Sequence, residues 1–586
     1  MSDGAPNRAT LHARVLADEL AKAGVSRVCV APGSRSTPLT VAFDARGDVT
    51  VYSHLDERAA SFYALGAAKR SGDPVALVCT SGTAAANFHP AVVEADQSRV
   101  PLVVLTADRP PELRDSGANQ TIDQQKLYGD AVRSYTELPE PAVEDRRLRS
   151  VRVRADRAVT AATGVPPGPV HLNVPFAKPL EPTEVPADST HGVPDGWERD
   201  HELAASGREG AFVTTTPGRM ALPDDDLNAL ADSLADADRG LLVAGPTDRD
   251  LTALAALADS TGFPVLADPL SGIRYGAHVA DVPVYGGYDG YLDPAVTDEW
   301  PDPDVVLRVG ASPTSKPLRK YLARTDARQV VVDPAGEWRE AEFVASDLVT
   351  ADTAGLARAL ADRIDADGGW PADTFARAER VHDETVADTA DFFEGAIARR
   401  LIADAPDPAT VFVSNSMPVR DVDRFGAPRS ADLTVLGNRG ASGIDGVTSS
   451  ALGAGSATDD PLVLLTGDLA YYHDANGLLA LSRCGTDATI VLVNNDGGGI
   501  FHMLPIEDFD PPFEGQFKTP HGLDFEPTSD LYGFDYARVR DVDAFADAYR
   551  ESLDSDGTQV VEVVSDADAS HRVRESLRER VVDRLA

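Results

Sequence analysis

Cysteine is scarce in this chain: 3 in 586 residues, Cys29, Cys79 and Cys484, each in an apolar run and far from the others. That spacing excludes a disulfide framework and a thiolate zinc site, and fits small buried hydrophobes in a reducing compartment. Lysine is nearly as rare, confined to Lys22, Lys69, Lys126, Lys178, Lys316, Lys320 and Lys518. Basic charge as a whole is outweighed, with 54 Lys+Arg against 94 Asp+Glu and a formal net charge of -40. No basic face is available for phosphate contacts, so nucleic acid is not an expected partner. No run of about 18 apolar residues occurs, so no membrane span is expected. Met1 to Thr10 has no apolar signal core, and the expected location is the cytoplasm.

What is present is acidic, globular and long. The acid is mostly Asp and is spread evenly, which reads as a heavily hydrated surface suited to salt-saturated cytoplasm, where salt screens self-repulsion. At 43% hydrophobic residues the chain can bury several cores, and about 150 residues per domain gives three or four domains. Short buried-strand runs alternate with helical stretches: Val25–Ala31, Val75–Cys79 and Val100–Thr106 early, Gly240–Ala244, Pro264–Ala267, Val305–Val309 and Gln329–Val332 in the middle, and Thr410–Val413, Leu462–Leu465, Thr489–Val493 and Val560–Val564 late. This alternation predicts α/β architecture in three doubly wound parallel-sheet domains, with ligands at the carboxyl ends of strands. The expected domains are 1–185, 186–365 with an irregular linker at its start, and 366–586. The stretch from about Pro179 to Met220, rich in Pro, Gly and Thr, reads as that irregular excursion. The last third repeats the style of the first.

Two strand ends carry oxygen ligands. Leu462–Leu465 runs into Thr466-Gly467-Asp468-Leu469, and Ile490–Val493 into Asn494-Asn495-Asp496-Gly497-Gly498-Gly499. Asp468 offers a carboxylate, Asn495 an amide oxygen and Gly497 a backbone carbonyl, the hard oxygens Mg²⁺ takes alongside water and phosphate. The glycines permit close approach of backbone to a diphosphate. A lone Gly-Asp after a strand is a common turn; the paired spacing on neighbouring strands makes it a metal-diphosphate site.

This pattern resembles the thiamine-diphosphate enzymes, whose signature is Gly-Asp followed by Asn-Asn. Leu469 departs from the third glycine of that signature. The resemblance implies a three-domain pyrimidine-binding, middle and diphosphate-binding architecture. Thiamine diphosphate with Mg²⁺ (or Mn²⁺) is the implied cofactor. An acid on N1′ of its aminopyrimidine would be Glu57, in Leu55-Asp56-Glu57-Arg58; taken alone, Glu57 is a charge at a helix start complementing its dipole.

Further segments resemble one family within that class. They are Ala31-Pro32-Gly33-Ser34-Arg35-Ser36-Thr37-Pro38-Leu39, Thr80-Ser81-Gly82-Thr83, Thr106-Ala107-Asp108-Arg109-Pro110, Gly117-Ala118-Asn119-Gln120 and Asn438-Arg439-Gly440-Ala441-Ser442-Gly443-Ile444-Asp445-Gly446. This is the menaquinone-pathway carboligase family. It implies decarboxylation of 2-oxoglutarate and conjugate addition of the resulting carbanion to isochorismate, in a homodimer or homotetramer with intersubunit active sites. It also implies roles. Arg420, Arg439 and Ser416 would hold substrate near the reacting centre, and Ser34, Arg35, Arg109, Asn119 and Gln120 the isochorismate side. Lys316 would contribute from the middle domain, beside Pro317 where the family has a second basic residue. Ile444 would wedge beneath the cofactor, with Ile500 and Phe501 beside it. Arginine suits this work because its planar fork binds carboxylates bidentately and keeps its proton. Taken singly, each arginine reads as a surface charge and Ile444 and Phe501 as core. His54 and His89 read as structural. Two alternatives remain: another thiamine-diphosphate 2-oxoacid decarboxylase or acetolactate-synthase-like carboligase, and a cofactor-binding scaffold without catalysis.

Overall fold

The computed structural model describes residues 4–247, 251–366, 369–371 and 373–586. It contains three six-stranded sheets in which every pairing is parallel. The first holds β1 (Arg27–Val30), β2 (Thr50–Ser53), β3 (Val75–Cys79), β4 (Leu102–Asp108), β5 (Ser134–Glu137) and β6 (Val170–Pro175), in the order β2-β1-β3-β4-β6-β5. The second holds β7 (Gly240–Ala244), β8 (Val265–Ala267), β9 (Val284–Tyr285), β10 (Val305–Val309), β11 (Arg328–Val332) and β12 (Asp347–Val349), ordered β12-β11-β10-β7-β8-β9. The third holds β13 (Ala409–Val413), β14 (Leu433–Leu436), β15 (Leu462–Gly467), β16 (Thr489–Asn494), β17 (Asp535–Val539) and β18 (Gln559–Val564), ordered β14-β13-β15-β16-β18-β17. The first and third sheets therefore share one winding, which is the repetition expected from sequence. The middle sheet has the dinucleotide-fold order instead.

The sheets form because their strands are predominantly apolar runs, and a charge within them is buried with a partner, as Arg308 of β10 is with Glu340 at 3.3 Å. All five residues of β3, β10 and β13 and all seven of β4 are buried, as a sheet covered on both faces requires. Each such valine or leucine contributes roughly 1.5–3 kcal/mol by leaving water.

The chain divides into two compact units. The first comprises residues 1–217 with 438–459 and 474–486; the second comprises 218–437, 460–473 and 487–586. In the first, the irregular stretch after β6 is packed rather than loose: Asn7 Nδ2 donates to the Glu181 and Thr183 carbonyls. Fully buried Arg152 pairs with Glu19 at 2.7 Å and donates to the Ala204 and Ala205 carbonyls. In the second unit, buried Arg274 donates to the Ala267 carbonyl and to Asp423, joining the two sheets. Cys29 and Cys79 are buried as expected, while Cys484 is half-exposed beside His54. Between β15 and β16 the helical stretch is broken into Asp468–His473, a 3₁₀ turn Ala475–Leu478 and Leu479–Cys484.

Candidate active site

In the third sheet β13 and β15 are neighbours whose following connections leave in opposite directions, the switch point where open α/β sheets bind ligands. Asp468 follows β15 and Asn495 follows the adjacent β16. The Asp468 side chain is buried, and its Oδ2 accepts from the Gly497 amide at 2.9 Å and the Asn495 amide at 3.2 Å, while Oδ1 accepts from Leu469 N. Burial raises its pKa against the lowering effect of these donors and of His521. A buried carboxylate surrounded by neutral donors is a costly arrangement unless a cation joins it.

Asn495 supplies the second indication. Its Nδ2 donates to Glu394 Oε1 at 2.7 Å, and its Oδ1 is buried with no hydrogen-bond partner. The Asn495 backbone amide donates to Asp468 Oδ2, so the two residues are neighbours and a divalent cation could draw an oxygen from each side chain. Gly497 has φ +137°, and a Cβ there would lie 2.1 Å from the Lys518 carbonyl, so only glycine fits the turn. A Cβ at Gly467 would meet nothing within 4 Å, leaving room over the strand end for a diphosphate. These residues fit a metal-held diphosphate.

Sequence reasoning missed two groups here. His521 Nδ1 accepts from Leu523 N, so Nε2 carries the proton it directs at Asp468 Oδ2, 3.2 Å away. Glu394, 101 positions before Asn495, precedes the whole third sheet. Neither has a motif signal.

Arg420 and Lys316 meet at a cavity of about 680 Å³ within the second unit, lined also by Arg319, Lys320, Arg324 and Ile500. The Lys316–Arg324 helix, capped by Ser315 accepting from Leu318 N, carries four cations and no acid, a local reversal in a chain of net charge -40. Arg420 donates to the Ser416 carbonyl, and Ser416 has φ +71°, a strained conformation for a non-glycine residue. Gln120 and Asp496 share that feature at φ 53° and 59°. Phe501 stacks edge-on against Phe517.

The first unit holds the other expected residues. Glu57 is the first residue of the helix Glu57–Ser71, whose N-cap Asp56 accepts from Arg58 N and Ala59 N. That helix is buried along most of its length, and Gly66 lets the Ser450 carbonyl approach where a Cβ would lie at 1.8 Å. At the strand ends, Arg35 N donates to Thr80 Oγ1 and Arg109 Nη2 to the Asn119 carbonyl at 2.8 Å. Ser81 Oγ donates to the Gln120 carbonyl, and Gln120 Nε2 donates back to the Ser81 carbonyl. Ser34 is exposed beside them. Burial and then the nearby Arg109 charge lower the Arg35 pKa. Arg35 Nε and Arg109 Nε are both buried without a partner, so two like charges with spare donors converge, which suits an anionic ligand. Arg439 and Ile444 lie in a loop that Glu94 holds: its carboxylate accepts from Gly440 N, Ala441 N and Ser442 N.

Three parallel α/β sheets with a carboxylate–amide pair at adjacent strand ends define a thiamine diphosphate (thiamine pyrophosphate) enzyme. Family models agree: the N-terminal TPP binding domain matches residues 12–127, the middle domain 230–413 and the C-terminal TPP binding domain 425–563. The chain is 63% identical to the 2-succinyl-5-enolpyruvyl-6-hydroxy-3-cyclohexene-1-carboxylate synthase of Halobacterium salinarum, covering 98% of this chain and 99% of that one. It is 60% identical to the same-named protein of Haloarcula marismortui (99% and 99%) and 45% to that of Roseiflexus sp. (97% and 98%). A solved structure, the thiamine diphosphate-dependent 4-hydroxybenzoylformate decarboxylase of Rhodococcus jostii, superposes with TM-score 0.70 at 20% identity over 95% of this chain and 99% of that chain, a likeness of fold. The chain belongs to the 2-succinyl-5-enolpyruvyl-6-hydroxy-3-cyclohexene-1-carboxylate synthase family of thiamine pyrophosphate enzymes.

Proposed function

We propose that this enzyme decarboxylates 2-oxoglutarate and adds the resulting succinyl-semialdehyde carbanion to isochorismate in conjugate fashion, releasing CO₂, in menaquinone biosynthesis. The reading of the reaction rests on the 63% identity, over nearly the whole of both chains, to a protein named for that synthase; the cofactor part is supported by the buried Asp468 carboxylate and the unpartnered Asn495 Oδ1 at the ends of neighbouring parallel strands. Asp468, Asn495 and the Gly497 carbonyl would hold Mg²⁺ (or Mn²⁺), and Gly467 and the Gly497 turn would leave room for the diphosphate. Thiamine diphosphate supplies the carbanion-stabilising chemistry when bound. Glu57, at the N-terminus of its helix, would be the acid that holds a proton at N1′ of the aminopyrimidine. Ile444, Ile500 and Phe501 would each offer the cofactor an apolar contact.

The remaining residues balance charge. Arg420, Arg439, Ser416 and Lys316 take the carboxylates of the oxoacid and the growing product. Ser34, Arg35, Arg109, Asn119 and Gln120 take isochorismate, with the spare Arg35 and Arg109 Nε donors supporting that placement. A small monocarboxylate needs fewer cations than this site offers. The active sites lie between subunits of a homodimer or homotetramer, Glu57 and the metal ligands coming from different copies. The protein works in a salt-rich cytoplasm, free of membrane and nucleic acid; among the described residues no helix is long and apolar enough to cross a membrane.

Oxoacid selectivity tests the reading. CO₂ release, with thiamine diphosphate, Mg²⁺ and isochorismate present, is expected from 2-oxoglutarate in strong preference to pyruvate, and Arg420→Ala is expected to erode that preference. Preference for pyruvate would point to an acetolactate-synthase-like or simple decarboxylase activity and overturn the proposal.

A further inference from the structure

We infer that Glu394 is a positioning residue that decides which end of the Asn495 amide faces the metal. This rests on the proposed reading of Asp468 and Asn495 as metal ligands.

A side-chain amide has one acceptor end and one donor end, and only the oxygen can bind a cation. The two ends have nearly the same shape, so packing alone does not choose between them; the hydrogen-bond partner does. An ionised carboxylate can only accept. With Glu394 Oε1 at 2.7 Å from Asn495 Nδ2, the amide must turn its NH₂ to Glu394 and its Oδ1 the other way, where it is buried and unpartnered. The reversed amide would set oxygen against oxygen.

Glu394 is itself over-determined. Its side chain is 2% exposed. Ser565 Oγ donates to Oε1 at 3.0 Å and Arg574 Nη2 donates to Oε2 at 2.7 Å. Arg574 is fixed in turn by two bonds to Asp421, from Nε at 2.8 Å and Nη2 at 2.6 Å. Glu394 also opens the 11-residue helix Glu394–Asp404, where helix polarity favours a negative charge. Ser565 follows β18, Arg574 lies on the C-terminal helix and Asp421 on the helix after β13, so four separate segments converge to fix one carboxylate against one amide. Supporting partners of this kind typically change metal affinity by about 10–100-fold.

The chemistry singles out a diagnostic pair. In Glu394→Gln the new oxygen is drawn to Arg574, which can only donate. The new NH₂ then faces Asn495, whose amide reverses and turns its own NH₂ toward the metal. Adding Asn495→Asp restores the match: the Gln NH₂ donates to one Asp oxygen and the other faces the metal. The double variant has the same total charge as the natural pair, with the donor and acceptor roles exchanged.

The test uses the full-length protein in molar KCl with thiamine diphosphate. Mn²⁺ binding is read from the free-ion electron paramagnetic resonance signal, and folding from circular dichroism melts. Glu394→Gln is expected to bind Mn²⁺ about 10–100-fold more weakly, and Glu394→Gln/Asn495→Asp to recover to within about 10-fold of the natural protein. A carboxylate at 495 is itself a stronger metal ligand than an amide, so Asn495→Asp alone is the control: the gain in affinity from Asn495→Asp is expected to be larger in the Glu394→Gln background than in the natural one, which neither the added charge nor a merely structural role for Glu394 produces. Wild-type Mn²⁺ affinity in Glu394→Gln, with binding lost in Asp468→Ala, would overturn the inference and leave the ligands in place. Wild-type affinity in Asp468→Ala would overturn the ligand reading itself. If Glu394→Gln melts early, the comparison of Asn495→Asp in the two backgrounds decides: a larger gain in the Glu394→Gln background supports the inference, and an equal or smaller gain overturns it.

Discussion

Asp468 Oδ2 accepts the Gly497 N–H at 2.9 Å, locking together two strand-end loops that lie 29 positions apart in the chain. That bond makes the carboxylate and the glycine turn one unit. Asp468→Ala removes both the proposed ligand and the lock, so Mg²⁺-dependent binding of thiamine diphosphate should be lost by calorimetry. Gly497→Ala forces a Cβ to 2.1 Å from the Lys518 carbonyl at φ +137°, a strain of roughly 1–3 kcal/mol. It should weaken metal binding while Asp468 stays intact.

Glu57 has a different role, so its variant should separate binding from turnover. Its helix is capped by Asp56 and buried along most of its length, so Glu57→Gln should leave the fold and cofactor affinity unchanged. Turnover should fall by about 10²–10⁴-fold, the usual scale for a lost acid–base group. Unchanged kcat would remove Glu57 from the mechanism. Mixing this variant with Asp468→Ala under subunit exchange should restore part of the activity if sites are shared between copies.

Glu94 holds the Arg439–Ile444 loop through three backbone amides, with the buried Lys69 ammonium at 3.9 Å from its carboxylate. Glu94→Ala leaves those donors and a buried cation without their carboxylate. The expected cost is about 3–5 kcal/mol of stability, read as a lower denaturant midpoint. Glu94→Gln should retain part of that stability and recover cofactor-dependent activity only in part.

Acid sensitivity should come from three histidines of the first unit. Burial lowers the pKa of His12 and His54 to about 4 and of His171 to about 3, the nearby Arg483 charge adding to the effect on His54. Each is neutral when folded and takes up a proton on unfolding below about pH 6.5. Their contribution is therefore constant above about 6.5 and turns unfavourable as pH falls toward 4, by roughly 1.4 kcal/mol per pH unit per histidine. Chemical denaturation at pH 7.5 and 5 should show this loss, and His12→Leu should reduce the number of protons taken up by one. An unchanged proton uptake in that variant would exclude His12 from the set.

Much of the fold is legible because many of its strands are uninterrupted apolar runs, such as Val75–Cys79 and Leu462–Leu465, between helical stretches. Short or half-buried strands such as Val284–Tyr285 and Ser134–Glu137 carry no such signal and emerge only from their pairing. The Asp468–Asn495 pair was readable because both residues follow strands at a fixed spacing. Glu394 and His521 were not, since each reaches the site from a distant segment, by contacts that three-dimensional packing alone creates. The Ala441 and Ile444 loop was read with the third sheet by sequence order, yet Glu94 binds it into the first compact unit.

The most direct measurement is product analysis in molar KCl with 2-oxoglutarate and isochorismate, with and without thiamine diphosphate and Mg²⁺. The expected result is CO₂ and a succinyl-bearing cyclohexene carboxylate in equal amounts, formed only when both substrates, cofactor and metal are present. Product formation without thiamine diphosphate, or CO₂ release with no carbon–carbon bond to isochorismate, would contradict the account.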